Sequence, residues 1–188
     1  MIQLPIPIEN CIVRSYRHYD GPSLVKYANN PRVAGMLRDM FPHPYTLASA
    51  EAWLYFVEKQ PVESYFAIVR NDDCIGGIGL NLQNDVNRMN ADIGFWLGEP
   101  FWGHGIATEA VRALLKYGFE TLRLNRIQAN IFESNLATRC VLKKTGFAKE
   151  GRLRKSVVKN GQIMDQLVFA ILQDEFDAEA EYIPCGAE

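Results

Sequence analysis

The pattern of apolar and polar residues predicts a chain of short strands and helices. Strands are indicated by short runs of β-favouring and aromatic residues between turn residues, and helices by apolar residues at steps of three and four. The predicted strands are 11–16, 65–70, 74–80, 91–97, 126–132, 152–158 and 163–171. The predicted helices start at Gly21, near Thr46 or Ser49, after Gly105, and at Asn135.

The links between these strands predict how they pair. The strands at 65–70, 74–80 and 91–97 are joined by short polar links, which favours an antiparallel meander. A helix separates 91–97 from 126–132, so these two strands should run parallel. The Asn160-Gly161 pair predicts a hairpin of the last two strands. We expect an α/β (α+β) domain with a mixed, mainly antiparallel sheet and flanking helices.

Composition and charge exclude several classes of protein. The chain has 188 residues, of which 48% are hydrophobic and 22% charged, and a net charge of −2, as in a globular protein of one domain. It has no apolar span of membrane length and no signal peptide, so we expect a cytoplasmic location and no membrane or nucleic-acid partner. Three histidines and four distant cysteines argue against a metal or redox site. Cys140 is interpreted as a small buried residue on a helix rather than a nucleophile.

A stretch with two glycines, 101–107, lies where a predicted strand leads into a predicted helix. The first amides of a helix have no internal partner and carry the positive end of its dipole. A loop with little side-chain bulk, here at Gly103 and Gly105, lets a phosphate approach them. We therefore expect a pyrophosphate cradle, although glycines at this spacing also form ordinary turns.

A dinucleotide-binding Rossmann unit also combines a strand, a glycine turn and a helix. In that unit the turn belongs to the first βαβ motif, whereas here it follows an antiparallel meander. Ala107 and Thr108 stand where a third glycine would be, and Glu133 lies later than the usual acidic ribose ligand. An NAD-binding oxidoreductase is kept as an alternative.

Several separate motifs in one order resemble the GNAT superfamily of acyl-coenzyme A N-acyltransferases, and more narrowly its RimJ/RimL-like branch of ribosomal-protein N-terminal acetyltransferases. The resemblance covers about residues 8–172, which we expect to be an N-acetyltransferase domain followed by an acidic tail over 173–188. It implies that strands 91–97 and 126–132 are splayed apart. The motifs that carry it are 42–46, 91–97, 102–110, 135–138, 145–147 and 164–165.

The resemblance implies acetyl-coenzyme A (acetyl-CoA) as the cosubstrate, with no metal. In the family, a bulge in the strand equivalent to 91–97 opens a gap that receives the pantetheine arm. Backbone groups of Phe95, Trp96 and Leu97 are expected to bind this arm, one amide facing the thioester oxygen. The pyrophosphate is expected on the backbone amides of Gly103, His104, Gly105, Ile106, Ala107 and Thr108.

Other positions follow or depart from the family pattern. Trp102 replaces the glutamine or arginine that many members carry, but contacts through the backbone should preserve binding. Asn135 matches an asparagine near the thiol end of the cofactor, and it also suits a helix cap. Thr138 matches the position after this asparagine at which the family carries a small hydroxyl residue or alanine. The basic run over 139–155 is interpreted as a solvated face, with the 3′-phosphate of coenzyme A or an acidic substrate as the alternative.

The chemistry requires a base, because an ammonium must lose a proton before its nitrogen attacks a thioester. Asp92 stands where relatives often have a glutamate for this purpose, and its shorter side chain favours a relay through water; a structural carboxylate is the alternative. Leu142 replaces the tyrosine that many members use as general acid, which leaves Thr138, Tyr45 or water. A relative in the RimJ/RimL-like branch carries a glutamate beyond the Gly-Phe pair, and Val157 stands at that position here.

The implied reaction is direct transfer of an acetyl group to a primary amine, either a protein N-terminus or a small molecule. The acceptor pocket is expected from the loop at 36–46, with Phe41, His43 and Tyr45, and from the last hairpin. The alternative is a module that binds coenzyme A without turnover, because Leu142 replaces the usual general acid. A homodimer is left open.

Overall fold

The computed structural model describes residues 1–176. The strands are β1 Gln3–Pro5, β2 Cys11–Ser15, β3 Tyr65–Arg70, β4 Asp73–Leu82, β5 Asn90–Leu97, β6 Arg126–Phe132, β7 Ala148–Lys159 and β8 Gln162–Leu172. The helices are α1 Gly21–Ala28, α2 Pro31–Ala34, α3 Leu47–Glu58, α4 Ile106–Lys116 and α5 Leu136–Lys144. The strands form one mixed sheet of eight in the order β1-β2-β3-β4-β5-β6-β8-β7.

The parallel pair in this sheet separates along its length. Strands β5 and β6 pair only through Asn90↔Arg126, Ala91↔Ile127 and Asp92↔Gln128. Beyond these pairs, β5 continues beside β4 and β6 continues beside β8, so a gap opens between them. The ladder between β4 and β5 has no register shift over its seven pairs. The expected bulge is therefore absent from this ladder, and the strands separate because each follows its antiparallel neighbour.

Helices cover both faces of the sheet. The helix α4 packs its apolar face on one side, as its spacing predicts, while α1 and α3 cover the other side. The α4 side buries, among others, Ile78, Ile93, Val111, Leu114 and Ile127. The opposite side buries Leu24, Ala28, Tyr45, Ala50, Ala67, Val69 and Cys74. Burial of both faces holds the parallel pair in the middle of the domain.

Local signals in the sequence set several boundaries. Thr46 caps α3, its hydroxyl accepting the Ser49 N–H at 3.2 Å. Gly146 ends α5 with a φ of +88°, and the turn between β7 and β8 has φ of +52° at Asn160 and +75° at Gly161. These left-handed angles suit glycine and asparagine. The predicted cap, helix end and hairpin turn are confirmed.

A buried ion pair ties β2 to the start of α1. The Arg14 guanidinium donates to both carboxylate oxygens of Asp20 at 2.8 Å, and the two side chains are 5% and 1% exposed. Asp20 also accepts the Arg17 N–H at 2.8 Å. Because a buried charge is costly without its partner, this pair fixes the entry into α1.

Some elements differ from the sequence prediction. Strand β1 and the single turn α2 are additional, and β7 begins at Ala148 rather than at 152. Of the predicted acidic tail, Gln173–Glu175 forms a short 3-10 turn, and residues 177–188 lie outside the described part. Within residues 1–176, no helix is long and apolar enough to span a membrane.

Candidate active site

The glycine loop before α4 leaves backbone amides open to an anion. Gly103 and Gly105 have φ of +79° and +78°, which glycine adopts without strain. Gly105 is the N-cap of α4, and no side chain among the described residues caps this helix. The Glu109 N–H donates to the Gly105 carbonyl at 3.1 Å, so the amides of Ile106, Ala107 and Thr108 precede the first helical bond. Such a helix start suits a phosphate group.

The backbone of β5 presents alternate residues to the gap. On the β4 side, the Gly98 N–H donates to the Ile75 carbonyl at 2.8 Å. Because the hydrogen-bonding direction alternates along an antiparallel strand, Trp96 also turns its N–H and C=O toward β4. Phe95 and Leu97 turn theirs toward the gap. The backbone groups available for a ligand in the gap are therefore those of Phe95 and Leu97.

Trp102 joins the glycine loop to the end of β5. Its indole N–H donates to the Leu97 carbonyl at 2.6 Å. The Arg32 guanidinium lies 5.3 Å from the centre of the Trp102 ring and also forms an ion pair with Glu99. The Asn30 side-chain amide donates to Glu99 at 2.7 Å. The start of the glycine loop is thereby fixed to the turn between α1 and α2.

Asp92 lies where β5 and β6 separate, and it is half-buried. Three side-chain amides donate to its carboxylate: Gln83 to Oδ2, Gln128 to Oδ1 at 2.9 Å, and Asn130 to Oδ1 at 3.3 Å. An ionised carboxylate has about four acceptor positions, so roughly one is left for a water or an amine. The carboxylate is thus held firmly in place with room for one further partner.

Gly94 leaves open space on the same face as Asp92. A Cβ placed on Gly94 would meet no described atom within 4 Å, and the residue is exposed. Trp96 is two residues further along β5 and shares this face, its ring centre 5.6 Å from that of Phe41. The space over Gly94 therefore lies between a carboxylate and an aromatic cluster.

Two of the three predicted acceptor residues converge on this cluster. The ring centres of Phe41 and Tyr45 are 5.2 Å apart, and the Tyr45 N–H donates to the Asn29 side chain at 3.0 Å. Burial raises the pKa of the Tyr45 hydroxyl to about 12. His43 is exposed, so it lies at the rim of the loop rather than in the cluster.

An ion pair joins the acceptor loop, residues 36–46, to the last hairpin. These are the two segments that were expected to form the acceptor pocket. The Lys159 ammonium is 2.7 Å from the Asp39 carboxylate. The lysine side chain is 9% exposed, whereas that of Asp39 is 79% exposed. This ion pair joins the acceptor loop to the end of β7.

Asn135 is a helix cap, with its side-chain oxygen accepting the Thr138 N–H at 3.0 Å. Thr138 is half-buried in the first turn of α5, and Cys140, which was expected to be buried, is half-buried on the same helix. Leu142 is fully buried in the core, and Val157 lies on β7. The two positions where the family pattern would place an acid are therefore apolar.

The basic run divides into paired and solvated residues. Arg152 forms ion pairs with Glu133 and Asp165. Lys143 and Lys149 are exposed, in keeping with a solvated face. Among residues 1–176, no group of three or more histidine, cysteine or acidic side chains is placed to hold a metal.

Four residues at the site were not singled out in the sequence. They are Gln83, Gly94, Gln128 and Asn130. The signal for two of them was present, because Gln128 and Asn130 occupy every second position of β6 and therefore share a face. The pairing that brings this face to Asp92 is a property of the fold.

The sequence of this chain is similar to those of known acetyltransferases. Residues 10–148 match the family described as Acetyltransferase (GNAT) domain. The uncharacterized N-acetyltransferase p20 of Bacillus licheniformis is 32% identical over 174 residues, covering 89% of this chain and 96% of that protein. The ribosomal-protein-serine acetyltransferase of Escherichia coli (strain K12) is 30% identical over 109 residues, covering 58% of this chain and 60% of that protein.

The fold is also that of solved acetyltransferase structures. RimL, a ribosomal L7/L12 α-N-protein acetyltransferase in complex with coenzyme A, superposes with a TM-score of 0.81 at 19% identity, covering 91% of this chain and 98% of that one. The likeness at this identity concerns the fold. The family itself is shown by the match over residues 10–148 and by the similarity to p20. The chain belongs to the GNAT family of N-acetyltransferases.

Proposed function

We propose that this enzyme moves the acetyl group of acetyl-CoA to a primary amine by direct attack with general-base help. The observation that carries the proposal is the gap between β5 and β6, which opens beyond Asp92 on the strand that leads into the glycine loop. A ligand with a slender arm at one end and a diphosphate at the other suits a backbone-lined gap and an uncapped helix start.

The cofactor is held mainly by backbone groups. The amides of Gly103, His104, Gly105, Ile106, Ala107 and Thr108 surround the pyrophosphate. The N–H groups of Phe95 and Leu97 serve the arm and the thioester oxygen, since the Leu97 carbonyl is taken by the Trp102 indole. Trp96, whose backbone faces β4, contributes its side chain. The oxygen of Asn135 is used in the helix cap, so its amide nitrogen is the group left for the cofactor.

Asp92 acts as the base, directly or through a water at its remaining acceptor position. It takes a proton from the ammonium, and the freed nitrogen lone pair forms a bond to the acetyl carbon. The carbon–sulfur bond then breaks, coenzyme A leaves as a thiolate, and the nitrogen releases its second proton to solvent, which gives the neutral amide. No bond to the protein forms at any step, so the amide product and the thiol are the only covalent products.

The leaving thiolate receives its proton from solvent. Tyr45 is unsuited to supply it, because burial raises the pKa of its hydroxyl to about 12. An ordinary thiol has a pKa of about 8.5, so transfer from Tyr45 would run uphill. The half-buried Thr138 hydroxyl donates a hydrogen bond that steadies the departing sulfur.

The acceptor amine lies over Gly94, between Asp92 and the aromatic cluster of Phe41 and Tyr45, with His43 at the rim. Both a protein N-terminus and a small amine meet the requirement for a primary amine. The similarity to a ribosomal-protein-serine acetyltransferase supports the protein N-terminus. A cytoplasmic location completes the proposal.

The test is release of coenzyme A thiol when the protein is mixed with acetyl-CoA and a panel of peptides with free N-termini, polyamines and amino sugars. Thiol release that depends on at least one amine is the expected result. Tight cofactor binding without release for any amine would support the module without turnover. Calorimetric binding of NAD, with none of acetyl-CoA, would contradict the proposal and favour the oxidoreductase.

A further inference from the structure

The orientation of the Asn130 side-chain amide follows from its hydrogen bond to the Asp92 carboxylate. Its amide lies 3.3 Å from Oδ1 of Asp92. An ionised carboxylate only accepts hydrogen bonds, so the NH2 group of Asn130 must face Asp92. The carbonyl oxygen, Oδ1 of Asn130, consequently points away from the carboxylate.

This oxygen is an acceptor without a partner in the described part of the chain. Asn130 is half-buried, and its oxygen is not among the buried unpaired polar atoms, so it is reachable from solvent. The other two amides that hold Asp92 offer no such free acceptor beside the gap. The Gln128 oxygen accepts from Arg126 at 3.3 Å, and Gln83 lies on the β4 side of β5, away from the gap.

Asn130 also borders the place where the reaction would occur. It is two residues beyond Gln128, the last residue of β6 that pairs with β5. It shares with Asp92 the face on which Gly94 leaves open space. An amine over Gly94 would therefore have Asp92 at one side and the Asn130 oxygen at another.

We propose that Asn130 binds the acceptor amine and orients it, its Oδ1 accepting one N–H while Asp92 receives the proton that leaves. The inference rests on the proposed acetyl transfer. An ammonium carries several N–H donors, and its nitrogen attacks only when the freed lone pair faces the acetyl carbon. The lone pair that is freed first faces Asp92, which took the proton, so the amine must turn before its nitrogen can attack. The Asn130 oxygen keeps one N–H engaged during this turn and so limits the directions in which the lone pair can point.

The experiment compares Asn130→Ala with Gln128→Ala in the acetyl-transfer assay. Both variants remove a donor to the same oxygen of Asp92, but Asn130 alone also offers a vacant acceptor to the amine. We expect kcat/KM for the amine to fall by about 10-fold to 100-fold in Asn130→Ala and by less than about 5-fold in Gln128→Ala. The calorimetric affinity for acetyl-CoA should be retained in both variants. Any change in the apparent pKa of the pH–rate profile should be similar in the two, because each loses one donor to the Asp92 carboxylate.

Two further variants keep the inference open to refutation. Asn130→Leu, of nearly the same shape, replaces Asn130→Ala if the smaller residue lowers the melting temperature. Asn81→Ala, an exposed asparagine on β4 opposite Asp92, should behave as the wild type. Equal losses in the Asn130 and Gln128 variants, or no loss at Asn130, would overturn the inference. Lack of amine-dependent turnover in the wild type would instead refute the proposed function itself.

Discussion

The indole N–H of Trp102 donates to the Leu97 carbonyl at 2.6 Å and thereby fixes the glycine loop against the end of β5. Leu97 is one of the two residues whose backbone faces the gap. The same indole ring lies against Arg32, which is paired with Glu99. The two halves of the proposed cofactor site, the loop and the strand, are therefore joined by a single side chain.

Trp102→Phe should weaken acetyl-CoA binding by about 3-fold to 10-fold. The phenyl ring keeps the contact with Arg32 but loses the N–H, and a hydrogen bond contributes about 0.5–1.5 kcal/mol. Isothermal titration of each variant measures the change. Trp53→Phe on α3 is the matched control and should bind as the wild type does, because the rings that contact Trp53 are those of Tyr16, Phe56 and Tyr65. Equal affinities for the Trp102 variant and the wild type would mean that this hydrogen bond does not organise the site.

Gly105→Glu should abolish cofactor binding, because a carboxylate at the helix start would occupy and repel the pyrophosphate site. The left-handed φ of +78° adds backbone strain to this variant. Gly161→Glu is the control, since Gly161 has a φ of +75° and open space around it, but lies in the distant β7–β8 turn. Retained acetyl-CoA affinity in Gly105→Glu would show that the cradle is elsewhere.

Asp92→Asn should lower kcat by about 10²-fold to 10⁴-fold, the usual contribution of a general base. The affinity for acetyl-CoA should stay within about twofold of the wild type, because the proposed cofactor site is built from other groups. Steady-state kinetics across pH measure both effects. A wild-type kcat with an unaltered pH profile would leave Asp92 as a structural carboxylate.

Arg14→Met should destabilise the fold by about 3–5 kcal/mol, because it leaves the Asp20 carboxylate buried without its partner. Denaturant unfolding gives the free energy of unfolding. The double variant Arg14→Met/Asp20→Leu should recover much of this loss, since neither charge remains. A single variant as stable as the wild type would mean that the pair contributes little.

The free energy of unfolding should fall at alkaline pH. Burial raises the pKa of Tyr45 from 10.0 to about 12, so the folded protein keeps this proton after the unfolded chain has lost it. The contribution is complete below about pH 10 and is lost as pH rises toward about 12. Urea unfolding at several pH values should give a shallower decline for Tyr45→Phe. An identical pH dependence in the two proteins would contradict the assignment.

Local signals made much of the fold predictable. The meander, the parallel strand after α4, the Asn160-Gly161 turn and the Gly146 helix end depend on neighbouring residues. The glycine loop was likewise found because its strand, turn and helix are contiguous. Strand β1 was missed because it is three residues long and contains Pro5.

The polar surroundings of Asp92 were beyond the reach of local patterns. Its three donors come from the end of β4 and from β6, and they meet only through strand register. The contacts of Arg32 with Trp102 and of Asp39 with Lys159 likewise join segments far apart in the chain. Residue types indicated which chemistry was present, whereas register and packing decided which side chains came together.

The most direct measurement is the mass of an amine acceptor after incubation with acetyl-CoA and either the wild type or Gly105→Glu. Acetyl transfer through the β5–β6 gap predicts one added acetyl group on the amine nitrogen with the wild type and none with the variant. An unmodified acceptor under conditions in which the wild type binds acetyl-CoA, for every primary amine tested, would contradict acetyl transfer at this site.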